Sequence, residues 1–434
     1  MNSTQDFIHG STKKSLAAMV LPLLIAMVLN MAYNLVDSLW IGNLLGETAY
    51  AALTNATPLI LILNAIAMGA TNGVAILLSQ AVGAGDRFRS ARLITTSLIV
   101  AVIFALSMTA LFEWLLTPVL TLLQTPDEVF VLARDYLRLY LLGYLPMYLY
   151  CYFASVMRSY GNSMFQVVAM LISTLLNVVL DPLFIHLMGF CGAAVATVLS
   201  QSLCLFIMLT YLHRKPLFAI HFAQFDRTLI KDFIAKGVPS AFQQSIPALS
   251  TSFLTAFVSS FGISALAAYC ISGKLETLLF YPAMALNMAL TSIVGQCAGG
   301  KRFDLARDYL RLALHYGVLM LIILSAAIIL FADPLSHLFV DSSAAAEIVA
   351  VYFRIVGVGY VLNAVTNCCL GSLNGLGQPG KSLACMVFYY LIIRIPLSAL
   401  FVTLSFGLNG IWAAVLVSHI AAALAATLVL CQSS

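Results

Sequence analysis

The sequence predicts an all-α integral membrane protein, with twelve transmembrane helices arranged as two parallel six-helix repeats. Three observations predict it. Of the 434 residues, 62% are A, V, I, L, M, F, W, Y or C and only 9% are charged, against about 25% charged in a soluble domain. Apolar runs long enough to cross a bilayer, about 20 residues of helix, recur along the whole chain. The chain also matches itself when shifted by 216 positions.

Charged or Gly/Pro-rich breaks place the runs near 16–40, 49–80, 91–116, 129–158, 163–187, 192–213, 231–261, 265–296, 305–331, 344–375, 382–404 and 408–431. They are too long for barrel strands and lack period-2 alternation. Several exceed the bilayer thickness, so tilt or bending is expected. The first run follows Lys13-Lys14 like a signal peptide, but it lacks a small-residue cleavage site and continues through Asn30, Asn34 and Asp37, so it reads as a retained helix. Lys and Arg set the orientation. Of the 21 basic residues, all but Arg134, Arg138, Lys274, Arg354 and Arg394 fall in or beside one set of connections. The alternate loops hold none of them and carry Glu47, Asp127, Glu128, Asp333 and Asp341 instead. An even number of spans then puts both termini in the cytoplasm.

The repeat is specific in its details. Gly46, Ala49, Ala51 and Ala52 fall on Gly262, Ala265, Ala267 and Ala268; Gln80 falls on Gln296 and Gly83 on Gly299. Arg138, Gly143 and Tyr144 fall on Arg354, Gly359 and Tyr360, and Gly161 on Gly377. Chance recurrence of Gly and Ala does not keep one offset across several helices. With an even number of spans per half, both halves start on the same side, a parallel repeat typical of secondary transporters. The expected division is an N-lobe over 1–213, a cytoplasmic linker over 214–225 and a C-lobe over 226–434.

Charges inside hydrocarbon are costly and point to function. Asp37 in the first run and Asp181 in the fifth sit roughly 27–31 Å above the cytoplasmic start at about 1.5 Å per residue. Thr197 in the sixth run reaches a similar outer level. Asn177 lies one helical turn before Asp181, and Tyr33 one turn before Asp37. Pro182 frees the carbonyl of Val178. Carboxylates, an amide oxygen, a hydroxyl and a freed carbonyl form a hard-oxygen site for Na⁺ or a proton network. The plain alternative is a pair of acids facing headgroup water. Their repeat images are Phe253, Ile393 and Leu397 for Asp37, Asn177 and Asp181, so the acids are not part of the shared scaffold. Pro22 and Pro182 weaken their helices and serve as candidate hinges.

The second half has its own set: Lys274 and Glu276 in the eighth run and Arg394 in the eleventh, with images Pro58, Ile60 and Val178. An unpaired charge at that depth is costly, so Glu276 and Arg394 are expected to form an ion pair. Asn34, Gln243, Gln244, Asn287 and Asn363 are candidates to line a substrate cavity with Lys274, Glu276 and Arg394; interhelical hydrogen bonding is the equal alternative for the amides. Two neighbouring carboxylates in a confined space do not both stay ionised without a cation or a proton between them.

At this point the residues resemble the multidrug and toxic compound extrusion (MATE) transporters. The resemblance rests on Tyr33-Asn34-x-x-Asp37 with Ile41-Gly42, Gln80-x-x-Gly83-Ala84-Gly85-Asp86, Arg158-x-x-Gly161, Asn177-x-x-Leu180-Asp181-Pro182, Gly192-Ala193-Ala194 and Val294-Gly295-Gln296-x-x-Gly299. Lys274-Leu275-Glu276 looks like the bacterial DinF-like branch. The resemblance implies two six-helix bundles in a V, exporting drugs against inflow of Na⁺ or H⁺, with cation residues at Asp37, Asn177, Asp181 and Thr197. The chain departs from the NorM-like branch, which keeps a carboxylate in the seventh helix where this one reads Gln243, Gln244 and Pro247.

The leading reading is therefore a cation-coupled antiporter of amphiphilic, cationic drugs or toxic metabolites in a cell (inner) membrane, working by alternating access. H⁺ is favoured over Na⁺, because five or six fixed oxygens are not evident. It is expected to act as a monomer, with no cofactor beyond the coupling ion and no nucleic-acid partner. The alternative is a flippase of lipid-linked or amphiphilic substrates. No HExxH, GxSxG or P-loop occurs, so an enzyme is not expected, and the nine Cys form no CxxC.

Overall fold

The computed structural model describes residues 6–123, 125–214, 218, 220, 224–339 and 342–433. Most of the 214–225 linker and Asp341 lie outside them. The chain divides into two compact units, Leu21–Val238 and Gln5–Val20 with Pro239–Ser434. Helices α1 (Thr12–Leu45) and α8 (Thr228–Ser259) each belong partly to both, and the change falls beside Pro22 in α1 and at Pro239 in α8. The unit boundaries therefore fall inside these two helices.

Unit 1 holds the rest of α1, then α2 (Glu47–Gly83), α3 (Arg87–Leu122), α4 (Asp127–Leu142), α5 (Tyr144–Ser159), α6 (Met164–Met188) and α7 (Phe190–Arg214). Unit 2 holds the rest of α8, then α9 (Ile263–Gly299), α10 (Phe303–Leu330), α11 (Ala332–Phe339), α12 (Ser343–Val356), α13 (Tyr360–Gly375), α14 (Pro379–Val387), α15 (Ile395–Thr403) and α16 (Gly407–Cys431). A π-helical turn, Phe388–Arg394, joins α14 to α15.

Among the described residues ten helical stretches are long and apolar enough to cross a membrane, and the α4–α5 pair is an eleventh. The 32-residue α8 is long enough but too polar to qualify; Lys231, Asp232, Lys236, Gln243 and Gln244 interrupt it. The side chains are arranged for a hydrocarbon solvent. Val179, Phe206, Ile323 and Leu424 are each at least 60% exposed, whereas Ser155, Asn177, Asp181 and Ser418 are buried. The backbone needs no outside partner because helices satisfy their own N–H and C=O groups.

Three local expectations are corrected. The fourth run is not one helix but α4 and α5, bent by 48°. A Cβ on Gly143 would lie 2.4 Å from Val198 Cγ2 on α7, so the close approach of α7 requires glycine at the bend. The tenth run breaks at the equivalent place, a 3₁₀ turn over Gly357–Gly359 between α12 and α13. The acidic connection after α10 contains the short helix α11.

The repeat extends to backbone conformation. Left-handed residues pair at the same offset: Gly46 with Gly262, Gly85 with Lys301, Gly161 with Gly377 and Gly189 with Ser405. Only Gly adopts this region without strain, so Lys301 and Ser405 keep a turn that the fold demands rather than one their residue type prefers.

Candidate ion-coupling site

Three helices of unit 1 bring oxygens together. Asp37 comes from α1, Asn177 and Asp181 from α6, and Thr197 from α7, and all four are buried. Asn177 Nδ2 donates to Asp181 Oδ1 at 2.8 Å, the contact that a spacing of one helical turn allows. The carboxyl of Asp37 faces that of Asp181. The Tyr33 hydroxyl lies 3.4 Å from Ser200 Oγ and beside Thr197 and both acids. Ser200 Oγ donates to the Thr197 carbonyl at 2.9 Å.

Four oxygens in this cluster are buried and make no hydrogen bond: Asp37 Oδ1, Asn177 Oδ1, Asp181 Oδ2 and Thr197 Oγ1. Buried polar atoms are normally satisfied, and leaving one unmade costs about 1–3 kcal/mol. Among the described residues no Lys or Arg pairs with either acid. The cluster thus holds more acceptor oxygens than donors to fill them, and no cationic side chain, a composition that suits a proton or a hard monovalent cation.

Sequence reasoning missed Ser200, Tyr136 and Tyr140. Ser200 follows Thr197 by three residues on α7, the signal that could have found it. Tyr136 and Tyr140 on α4 face Asp37; Tyr136 also stacks on Phe190 at 4.7 Å. A tyrosine on an apolar face carries no polar signature of its own, so only the fold brings these two to the acid. A cleft of about 520 Å³ is lined by Leu44, Leu45, Pro182, Ile185, His186 and Gly189, the end of α1 and the last turns of α6.

In unit 2 the sequence-derived cavity residues divide. Glu276 and Arg394 do not form the expected ion pair. Glu276 Oε2 accepts from the Tyr352 hydroxyl at 3.1 Å. Arg394 Nε donates to Ser418 Oγ at 2.8 Å, its Nη2 is 3.5 Å from His419 Nε2, and its guanidinium stacks 4.6 Å over Tyr390. The π-helical turn, which widens the helix by one residue per turn, ends at Arg394 and fixes this direction. Gln243 is not a free lining residue: its Nε2 donates to the Pro379 carbonyl at 2.7 Å and to Asn374 Oδ1 at 3.3 Å. Asn287 donates to Asn367, and Asn367 in turn to Asn363 Oδ1, at 3.2 and 2.8 Å. Asn34 is exposed and bonds the Asn30 carbonyl of its own helix at 2.7 Å. Lys274 is exposed and Gln244 half-buried.

Helices that present lipid-compatible faces and enclose a carboxylate cluster define a polytopic membrane transport protein. The MatE family model matches residues 22–183 and 239–400, one match in each repeat. The "Probable multidrug resistance protein YpnP" of Bacillus subtilis is 26% identical over 91% of this chain and 90% of its own length. The "FAD transporter" of Shewanella oneidensis is 26% identical over 92% and 90%. The "Multidrug export protein MepA" of Staphylococcus aureus is 22% identical over 96% and 93%. The crystal structure of MATE in complex with MaL6 shares the fold with a TM-score of 0.93, at 24% identity over 100% of this chain and 99% of that one. The chain belongs to the MATE family of multidrug exporters, which are membrane transporters and not enzymes.

Proposed function

We propose that this protein is an H⁺-coupled antiporter that exports amphiphilic, cationic compounds, with Asp37, Asn177, Asp181, Thr197 and Tyr33 as its coupling site. The observation that carries the reading is the group of four unpartnered buried oxygens around two facing carboxyls. A proton on one acid both removes the like-charge repulsion and supplies a donor. Na⁺ is the alternative occupant of the same oxygens. Arrival of the ion neutralises the pair, and Pro22 and Pro182 let α1 and α6 bend in response. The lobes 1–213 and 226–434 alternate access around the cargo. The protein works as a monomer in the cell (inner) membrane, with both termini cytoplasmic, as the Lys and Arg distribution supports. Lys274-Leu275-Glu276 supports placing it near the DinF-like branch.

One observation favours a second cargo class. Arg394 is buried without a carboxylate partner among the described residues, and one relative carries FAD in its name. An anionic aromatic amphiphile is the cargo that such a group would take.

The test is efflux from proteoliposomes driven by a pH gradient alone and by a Na⁺ gradient alone. The pH gradient is expected to suffice, and Asp37→Asn or Asp181→Asn to reduce driven efflux to the rate without a gradient. Transport driven only by Na⁺ overturns the proton assignment, and transport driven by neither rejects antiport. Normal driven efflux by both variants removes the site.

A further inference from the structure

Unit 2 holds a half-buried acid that the unit 1 site does not use. Glu276 on α9 receives the Tyr352 hydroxyl of α12 at Oε2, while its Oε1 is buried without a partner. The Tyr360 hydroxyl of α13 faces the same carboxyl and is also buried without a well-formed partner. Tyrosine hydroxyls donate and accept. The two tyrosines therefore suit Glu276 in both of its states: as a carboxylate it takes two O–H donors, and as an acid its own O–H is given to the Tyr360 oxygen.

The charges around it fit the same use. Arg394 on the π-helical turn acts on Glu276 through space but is held away from it by Ser418, His419 and Tyr390. A guanidinium stays charged throughout, so it compensates an ionised Glu276 without locking it into a salt bridge. The remaining titratable neighbours are Tyr269 and Lys274 on α9 itself; Tyr269 faces the acid, and Lys274 is exposed and points away two residues along. Tyr352 and Tyr360 are the repeat images of Tyr136 and Tyr144, and Tyr136 faces Asp37 in unit 1. The same scaffold tyrosine thus lies near an acid in each half, although the acids come from unrelated helix positions.

We propose that Glu276 is a second exchangeable-proton site, held between Tyr352 and Tyr360 with Arg394 as its fixed counter-charge. Protonation forms an O–H bond at Oε1, with the proton delivered by hydronium, which leaves as water, and changes the cluster from neutral to +1. The Arg394 charge is then unmasked, which disfavours a cationic cargo nearby. Proton and cargo exclude each other in this way without sharing atoms. The exchange at Glu276 stands whether or not the unit 1 acids couple transport; only the exclusion of cargo rests on the antiport reading.

Infrared difference spectra of the full-length protein in lipid, acidic minus alkaline buffer, test the exchange directly. A protonated-carboxyl band is expected that disappears in Glu276→Gln, persists in Asp37→Asn and Asp181→Asn, and shifts in Tyr360→Phe, where the acceptor is lost. A Glu276→Gln spectrum that overlays the wild type overturns the proposal, as does a Tyr360→Phe band at the wild-type frequency. If Glu276→Gln does not fold, the Tyr360→Phe shift decides alone. In proteoliposomes, the number of protons moved per cargo is expected to fall by one in Glu276→Gln. An unchanged ratio refutes the exclusion of cargo while leaving the infrared result to judge the site.

Discussion

Ser155 and Ser159 on α5 occupy the positions that Gly371 and Gly375 occupy on α13, and the two pairs hold their helices by different means. In unit 1, Ser155 Oγ donates to the Thr71 carbonyl of α2 at 2.7 Å, while Ser159 Oγ donates to the Ser155 carbonyl of its own helix at 3.0 Å and lies 3.4 Å from that of Ala75 on α2. In unit 2 the glycines let the backbones meet. A Cβ at Gly371 would lie 2.5 Å from the Asn287 carbonyl oxygen, and one at Gly375 2.8 Å from the Gly295 nitrogen. Small residues spaced by four are a standard way for helices to pack in lipid, where no hydrophobic force drives them together. One scaffold thus tolerates a hydrogen-bonded seam in one half and a contact seam in the other. What the repeat conserves is the small volume, and the chemistry filling it is free to differ.

The largest effect is expected where the seam cannot yield. Gly371→Ala places its methyl against backbone, and overpacking of this kind costs about 1–3 kcal/mol. Ser155→Ala removes a hydrogen bond worth about 1 kcal/mol and creates no clash. Melting midpoints in detergent should fall clearly for the first and slightly for the second. Equal losses would mean that the two seams are not different in kind.

The same contrast explains how much could be read from sequence. The spans, the repeat and the Asp37, Asn177 and Asp181 grouping were legible because charge in hydrocarbon is rare and helical rise converts position into depth. The expected Glu276–Arg394 ion pair failed for a reason the sequence does not carry. A π-helical turn shifts the register before Arg394 and directs it to Ser418, and no residue pattern announces that turn. Tyr136, Tyr140 and Tyr352 were missed because an aromatic residue in a membrane helix is ordinarily packing. Their hydroxyls acquire meaning only once α4 and α12 are placed beside an acid.

A smaller effect sharpens the tyrosine comparison. Tyr352 bonds Glu276, whereas Tyr136 makes no hydrogen bond to a described residue and faces Asp37 only at a distance. Tyr352→Phe should therefore lower stability by about 1 kcal/mol, the net worth of a typical hydrogen bond. Tyr136→Phe should stay within about 0.5 kcal/mol of wild type. Thermal unfolding of both variants in one detergent checks this. The reverse order would mean that unit 1 relies on its tyrosine as a structural partner.

The smallest effects come from the turns, and they offer a reciprocal exchange between the halves. Gly85 and Gly189 have φ of 69° and 65°, and their images Lys301 and Ser405 have 58° and 61°. A side chain in the left-handed region costs roughly 1–2 kcal/mol, offset in part by the greater entropy that glycine loses on folding, about 0.5–1 kcal/mol. Lys301→Gly and Ser405→Gly should each gain a net of about 0.5–1 kcal/mol on that difference. Gly85→Lys and Gly189→Ser should lose a similar amount. Neither glycine has any atom within 4 Å of where a Cβ would sit, so the loss reports backbone conformation and not crowding. Four melting midpoints with opposite signs in the two units would show that the turn geometry belongs to the shared scaffold. A loss of stability in Lys301→Gly would show instead that the lysine side chain holds its turn by a contact that outweighs the strain.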